Sequence, residues 1–128
     1  MPLSNEEILE VLASGEIGIN PFDKEMLQPA SYDLKIGKLA ATVPTNGDPR
    51  INLEKEGVLL IPAYAPAVIF TLEELRFSRS YIGHIGLTFT MARRGVHASL
   101  GIQIDPDFEA PLSITLQNMT PNAITLKL

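Results

Sequence analysis

The stretch Gly101-Ile102-Gln103-Ile104-Asp105-Pro106-Asp107-Phe108 sets an acid and a proline between two apolar runs, and it constrains the fold more than any other segment. Pro106 fixes its own φ and pushes Asp105 out of the helical region, so the acid is read in an extended or turn geometry. Downstream, Leu112, Ile114 and Leu116 alternate with Ser113, Thr115 and Gln117, the two-residue period of a half-buried strand. A strand, a tight acid-bearing turn and a second strand hold a carboxylate firmly at the turn, as a site for a small ligand or a water requires.

The same texture fills the second half of the chain. Gly57 to Ile61 is apolar, Ala67 to Leu72 is a β-branched and aromatic run, and Tyr81 to Ala92 alternates imperfectly through Ile82, Ile85, Leu87 and Phe89. Ile124, Leu126 and Leu128 repeat the alternation, and Pro62 and Pro66 mark strand ends. Earlier, Tyr32, Leu34 and Ile36 alternate with Asp33 and Lys35, which predicts a strand ending at Gly37. A further strand and a loop through Pro44-Thr45-Asn46-Gly47 then lead to Asp48-Pro49. Many short strands separated by turn signals predict a β-barrel or sandwich.

At the N-terminus, Ser4 and Glu7 have capping-box spacing, with Leu3 and Ile8 at the staple positions. They predict a helix over about residues 4–14 with an Ile8, Leu9, Leu12 stripe, closed by Gly15 and Gly18. Asn20-Pro21 opens a loop carrying Phe22 and Met26. With 128 residues the chain reads as one domain over 1–128, the helix followed by a barrel over about 30–128.

Bulk composition narrows the function classes. A net charge of −5 with no long basic run argues against a nucleic-acid polymer or an anionic membrane as partner, so a phosphate ligand must be met by a few local cations. The absence of cysteine excludes disulfides, thiolate metal sites and cysteine nucleophiles. No secretory signal and no apolar stretch near the ~20 residues of a membrane span are visible, so a soluble, cytoplasmic protein is expected. Aromatics at 6% and no tryptophan speak against a sugar-stacking surface.

Chemistry-bearing residues cluster in three places. Pro29-Ala30-Ser31-Tyr32-Asp33-Leu34-Lys35-Ile36-Gly37 is the first, Thr88-Phe89-Thr90-Met91-Ala92-Arg93-Arg94-Gly95 the second, and the Asp105 turn the third. By residue type alone, Ser31 and Asp33 serve as turn and strand-start polars, and the Arg93-Arg94 pair suits either a phosphate or salt bridges to acids. Asp105 either presents its carboxylate or caps its own turn. Asp105, Asp107 and Glu109 lack the later ligands of a calcium loop, so no dedicated metal site is expected. His84 and His97 lack ligand or triad spacing.

Together these segments resemble the dCTP deaminase and dUTPase family over nearly the whole chain. The first fits the family's Pro-Ala-Ser-x-Asp-Leu-x-x-Gly pattern at every fixed position. The resemblance implies a mostly β fold, a distorted jelly-roll barrel behind a short N-terminal helix. It also implies a deoxynucleoside triphosphate ligand of the dUTP or dCTP type, magnesium carried in with the triphosphate, and a homotrimer with sites between subunits. Carried over residue by residue, it makes Asp105 the water-orienting acid, Thr90, Arg93 and Arg94 the phosphate-binding group, and Phe108 the aromatic that packs on the nucleoside.

The departures bear on activity. Thr88 stands where the family has a cation and Phe89 where it has a serine, which removes a charge-assisted contact worth ~1.5–3 kcal/mol. Asp107 replaces a glycine of the deaminase branch. Ten residues after Asp105, the glutamate that shuttles the proton in cytosine deamination is Thr115, which cannot act as a base near neutral pH. Family members continue past the final strand with a turn, more strands and a closing tail, so the C-terminal part of the family fold is expected to be missing after Leu128. Two functions are therefore expected: a dUTP diphosphohydrolase-like enzyme rather than a dCTP deaminase, or a non-catalytic nucleotide-sensing or oligomer-forming module of the same fold.

Overall fold

In the computed structural model the described residues are 2–42, 50–52, 57–99 and 103–127, with the side chains of 41, 42, 50–52 and 99 left aside. The expected loop over Pro44–Gly47, the Asp48-Pro49 step, Gly101, Ile102 and Leu128 lie outside them. The elements run α1 Asn5–Ser14, β1 Ile17–Asn20, a 3-10 turn Lys24–Met26, β2 Ile36–Thr42, β3 Arg50–Asn52, β4 Val58–Ile61, β5 Pro66–Phe77, β6 Gly83–His84, α2 Phe89–Arg93, β7 Val96–Ser99, β8 Gln103–Ile104, β9 Glu109–Asn118 and β10 Ile124–Lys127. The chain is mostly β, as its sequence predicts.

One sheet follows the order β3-β2-β5-β9-β7, with β1 also pairing β5, while β4 with β10 and β6 with β8 form two antiparallel ribbons. Among the described residues these pairings do not close into a barrel. The backbone gathers into two compact units. One holds Met1–Lys35, Leu72–Ile85 and Ile102–Leu112; the other holds Ile36–Thr71, Gly86–Gly101 and Ser113–Leu128.

The second unit contains a continuous apolar core. Leu59 and Ile61 of β4 and Leu126 of β10 are buried with Ala67 and Ile69 of β5, Val96 of β7 and Leu116 of β9. The strand period accounts for this: β4 alternates exposed and buried, and Leu112, Ile114 and Leu116 lie on the more buried face of β9, as their spacing predicts. β2 meets β5 through a register shift between Ile36 and Ala40. There a side chain at Gly37 would come within 2.9 Å of the Phe70 and Thr71 carbonyl oxygens, so backbone approach accounts for the last residue of the first motif.

In the first unit, the capping box forms as spaced: Ser4 Oγ accepts from the Glu7 N–H and Glu7 Oε1 from the Ser4 N–H, each at 3.2 Å. Gly15 ends α1 in the left-handed region. Gly18 does not help close the helix; it lies in β1, paired with Arg76 of β5.

Two strand expectations fail for the same reason, local hydrogen bonding. Residues 31–35 are not a strand, because the Gln28 N–H donates to the Ser31 carbonyl and the Asp33 N–H to the Met26 carbonyl, folding the segment on itself. The alternation from Tyr81 to Ala92 yields only the two-residue β6 and then α2, because the Thr88 hydroxyl accepts the Met91 N–H at 3.4 Å and starts a helix. No helix among the described residues is long and apolar enough to cross a membrane.

Candidate functional site

Within the first unit, Asp105 follows β8, where Ile104 is buried and Gln103 and Asp105 share the exposed face of the strand. Gln103 Nε2 donates to Asp105 Oδ1 at 3.0 Å. Among the described residues, nothing else bonds to the carboxylate, which leaves its second oxygen to water or a ligand. The turn is fixed through its backbone: the Phe108 N–H donates to the Asp105 carbonyl at 3.3 Å, the Asp107 N–H to the Ser78 carbonyl at 3.4 Å, and the Phe77 N–H to the Phe108 carbonyl at 2.9 Å. Asp107 takes a φ of +62°, the left-handed conformation in which glycine costs least. Its carboxylate accepts from Arg79 Nε at 3.1 Å in an exposed pair. Phe108 is half-buried.

In the second unit, α2 carries the nominated phosphate group. Thr90, Arg93 and Arg94 are exposed, but their chemistry is not equally available. Arg94 Nη2 donates to the Thr125 carbonyl at 2.7 Å and ties α2 to β10. The Arg93 guanidinium lies 5.5 Å from the centroid of the Phe89 ring, one helical turn back, in cation–π range. Gly95 follows with a φ of +85°, and a side chain there would collide with the Thr120 methyl group. Thr115 is half-buried on β9, opposite Ser99 of β7 and on the face away from Leu116.

The first motif serves local structure. Asp33 Oδ2 accepts from Gln28 Nε2 at 3.2 Å, and the Tyr32 hydroxyl accepts the Asp23 N–H at 2.9 Å while its ring stacks on Phe22 at 5.6 Å. Lys35 Nζ bonds to Asp23 Oδ2 at 2.8 Å. That ammonium, and next the Glu25 N–H, hold Asp23 below the usual aspartate range, and Asp23 in turn raises Lys35. The Lys35 N–H donates to both oxygens of Glu73, which is 1% exposed. Phe22, Asp23, Tyr32, Lys35 and Glu73 are among the residues lining an open cavity of ≈ 350 Å³ that includes none of Thr90, Arg93, Arg94, Asp105 and Phe108. Its acids already have partners, so the exposed carboxylate of Asp105 is the stronger candidate for chemistry. Among the described residues no group of three or more His, Asp or Glu gathers to hold a metal ion.

Two roles were not apparent in the sequence. Asn118 is fully buried: its amide donates to the carbonyls of Ile61, Pro62 and Asn122 at 2.8–3.1 Å, and its oxygen accepts from the N–H and hydroxyl of Thr120. Gln103 holds Asp105, and its cross-strand partner is His84, which has no sequence spacing to mark it. The two-residue step from Gln103 to Asp105 was the one available signal, since it puts both on one face of a strand.

Comparison with known proteins agrees with this architecture. A family described as dCTP deaminase-like matches residues 2–127. The dCTP deaminase of Thermococcus sibiricus is 38% identical over 111 residues, covering 87% of this chain and 68% of that protein. The dUMP-forming dCTP deaminase of Corynebacterium glutamicum is 28% identical over 142 residues, covering 98% of this chain and 74% of its own. The crystal structure of 2'-deoxycytidine 5'-triphosphate deaminase from Agrobacterium tumefaciens superposes with a TM-score of 0.75 over 98% of this chain. At 15% identity that likeness is one of fold, and this chain spans 44% of that one. By the family match and the identity to the Thermococcus sibiricus enzyme, the chain belongs to the dCTP deaminase-like family.

Proposed function

We propose that this protein binds a pyrimidine deoxynucleotide, and that any reaction it performs is hydrolysis of the phosphate chain of a substrate such as dUTP, not deamination of the base. The observation that carries this reading is Asp105: a carboxylate on a backbone-anchored turn, with one oxygen held by Gln103 and the other without a partner among the described residues. A group held this way orients a water without first having to be ordered. Thr115, at the position of the deaminase glutamate, supplies no base for the ring. Magnesium carried in with the triphosphate would supply charge neutralisation, Arg93 and Thr90 would hold the phosphates, and Phe108 would pack on the nucleoside. A homotrimer belongs to the same reading and is tested by the particle mass in solution.

A second reading, a non-catalytic nucleotide-binding module of the same fold, draws on a specific observation. Arg94 Nη2 is tied to the Thr125 carbonyl and the Arg93 guanidinium lies over the Phe89 ring, which limits how α2 can turn its two cations toward a triphosphate. Incubation with magnesium and dUTP, dCTP or dTTP, with products resolved by chromatography, separates the two. Release of dUMP from dUTP, abolished by Asp105→Asn, supports the hydrolase. Binding without turnover supports the module, and any deamination of dCTP removes the argument from Thr115.

A further inference from the structure

Phe22 and Leu72 are 40% and 38% exposed, and both line the cavity of ≈ 350 Å³ that lies wholly within the first unit. A concave surface of that size with apolar side chains and a few polar groups suits a small ligand. Its aromatic wall is already built. The Phe22 ring stacks on Tyr32 at 5.6 Å, the Tyr32 hydroxyl accepts the Asp23 N–H, and Lys35 Nζ bonds to Asp23 at 2.8 Å. Side chains held in place before a ligand arrives cost little to order when it does.

The charges around the cavity decide what that ligand is. Its two carboxylates have donors in place: Asp23 accepts from Lys35 Nζ and the Glu25 N–H, and the buried Glu73 accepts from the Lys35 N–H. Its two ammonium groups have donors to spare. Each carries three N–H groups, of which Lys35 gives one to Asp23 and Lys24 gives none to any partner among the described residues. An anion answers that surplus, and because two carboxylates stand beside the two ammonium groups, one negative charge is accepted more readily than two or three. The geometry points to a binding site, apart from the residues nominated for the nucleotide, for a small monoanion with a flat apolar body. An aromatic carboxylate is the simplest case: its ring lies against Phe22 and Leu72, and its carboxylate meets Lys24 and Lys35.

The test is a titration of the full chain with trans-cinnamate, followed in the amide region of its NMR spectrum. Binding is expected to saturate with a dissociation constant of about 1 mM or below and to move the Phe22, Lys24, Tyr32 and Leu72 amides. Cinnamyl alcohol, the same flat body without the charge, is expected to bind about fivefold more weakly, and Lys24→Gln to weaken cinnamate by about fivefold while leaving the alcohol unchanged. Phe22→Leu, which keeps apolar bulk and loses the ring, is expected to weaken both by about threefold. dUMP, whose phosphate carries a second charge, is expected to leave the four amides in place. Cinnamate that does not move them, binds no better than the alcohol or is indifferent to either substitution overturns the inference and leaves the nucleotide reading of Asp105 and α2 as it stands. dUMP that moves them also overturns it, by making the cavity part of the nucleotide site.

Discussion

The two turns that carry the nominated residues treat their polar side chains in opposite ways. The Asp105 turn secures itself through backbone bonds at Ser78, Phe77 and its own ends, and so leaves half of a carboxylate unengaged. The α2 turn has backbone bonds as well, from the Ala92, Arg94 and Gly95 N–H groups back into the turn, but it adds side chains to them: Thr88 caps it, Arg94 ties it to β10, and Arg93 covers Phe89. A turn that also draws on its side chains holds them in local contacts before a ligand arrives. The Asp105 turn therefore carries the chemical proposal, and α2 carries the argument against tight phosphate binding.

The largest expected effect concerns what holds the end of β9 to the end of β4 and to the loop before β10. Asn118→Ala removes one amide from three carbonyls and an oxygen from Thr120, and should cost ~3 kcal/mol in urea unfolding, since each buried group left unpaired is costly. Arg94→Ala should cost ~1 kcal/mol, below the usual value for a charged donor because the bond is exposed. A cost near zero would mean that Arg94 is free for a ligand and that the contrast between the turns is weaker than drawn. Asp107→Gly relieves a left-handed conformation and loses one exposed ion pair, for a net gain of ~0.5 kcal/mol in the same assay.

Asp105→Asn should change stability by no more than ~0.5 kcal/mol, as a surface substitution that keeps the turn, while abolishing dUMP release if hydrolysis occurs. A large loss of stability would make Asp105 a structural cap and erase its difference from α2. The smallest effect belongs to the exposed Asp23–Lys35 pair. Asp23 titrates below its ordinary value when folded, so its stabilisation is present above the unfolded carboxylate pKa and lost as pH falls through the folded one. Lys35 titrates above its ordinary value, so its share is lost only as pH rises through the alkaline range. Asp23→Asn should flatten the acid limb of a melting-temperature profile slightly.

Much of the fold was legible because its signals are local. The Ser4–Glu7 box, the apolar run of β4, the alternation in β9 and β10, and Pro66 at the start of β5 each act within a few residues of themselves. Tyr32 and Leu34 misled because alternation says nothing about where backbone N–H groups find acceptors, and here Met26 and Ser31 supply them. Between Tyr81 and Ala92 the cap at Thr88 outweighed the two-residue period. Within the site, Asp105 was legible from its proline, whereas the engagement of Arg94 was not.

By itself the sequence determined the mostly β architecture, the leading helix, the acid-bearing turn and the family, because capping, periodicity and proline geometry are written in neighbouring residues. Only the tertiary structure decided which side chains remain available. The Thr125 carbonyl that takes Arg94 lies 31 positions away, the Glu73 carboxylate that takes the Lys35 N–H lies 38 away, and the Ile61 carbonyl that takes Asn118 lies 57 away. A polar group left without water bonds to whatever partner folding brings within reach, and that partner is set by distance in space, not along the chain.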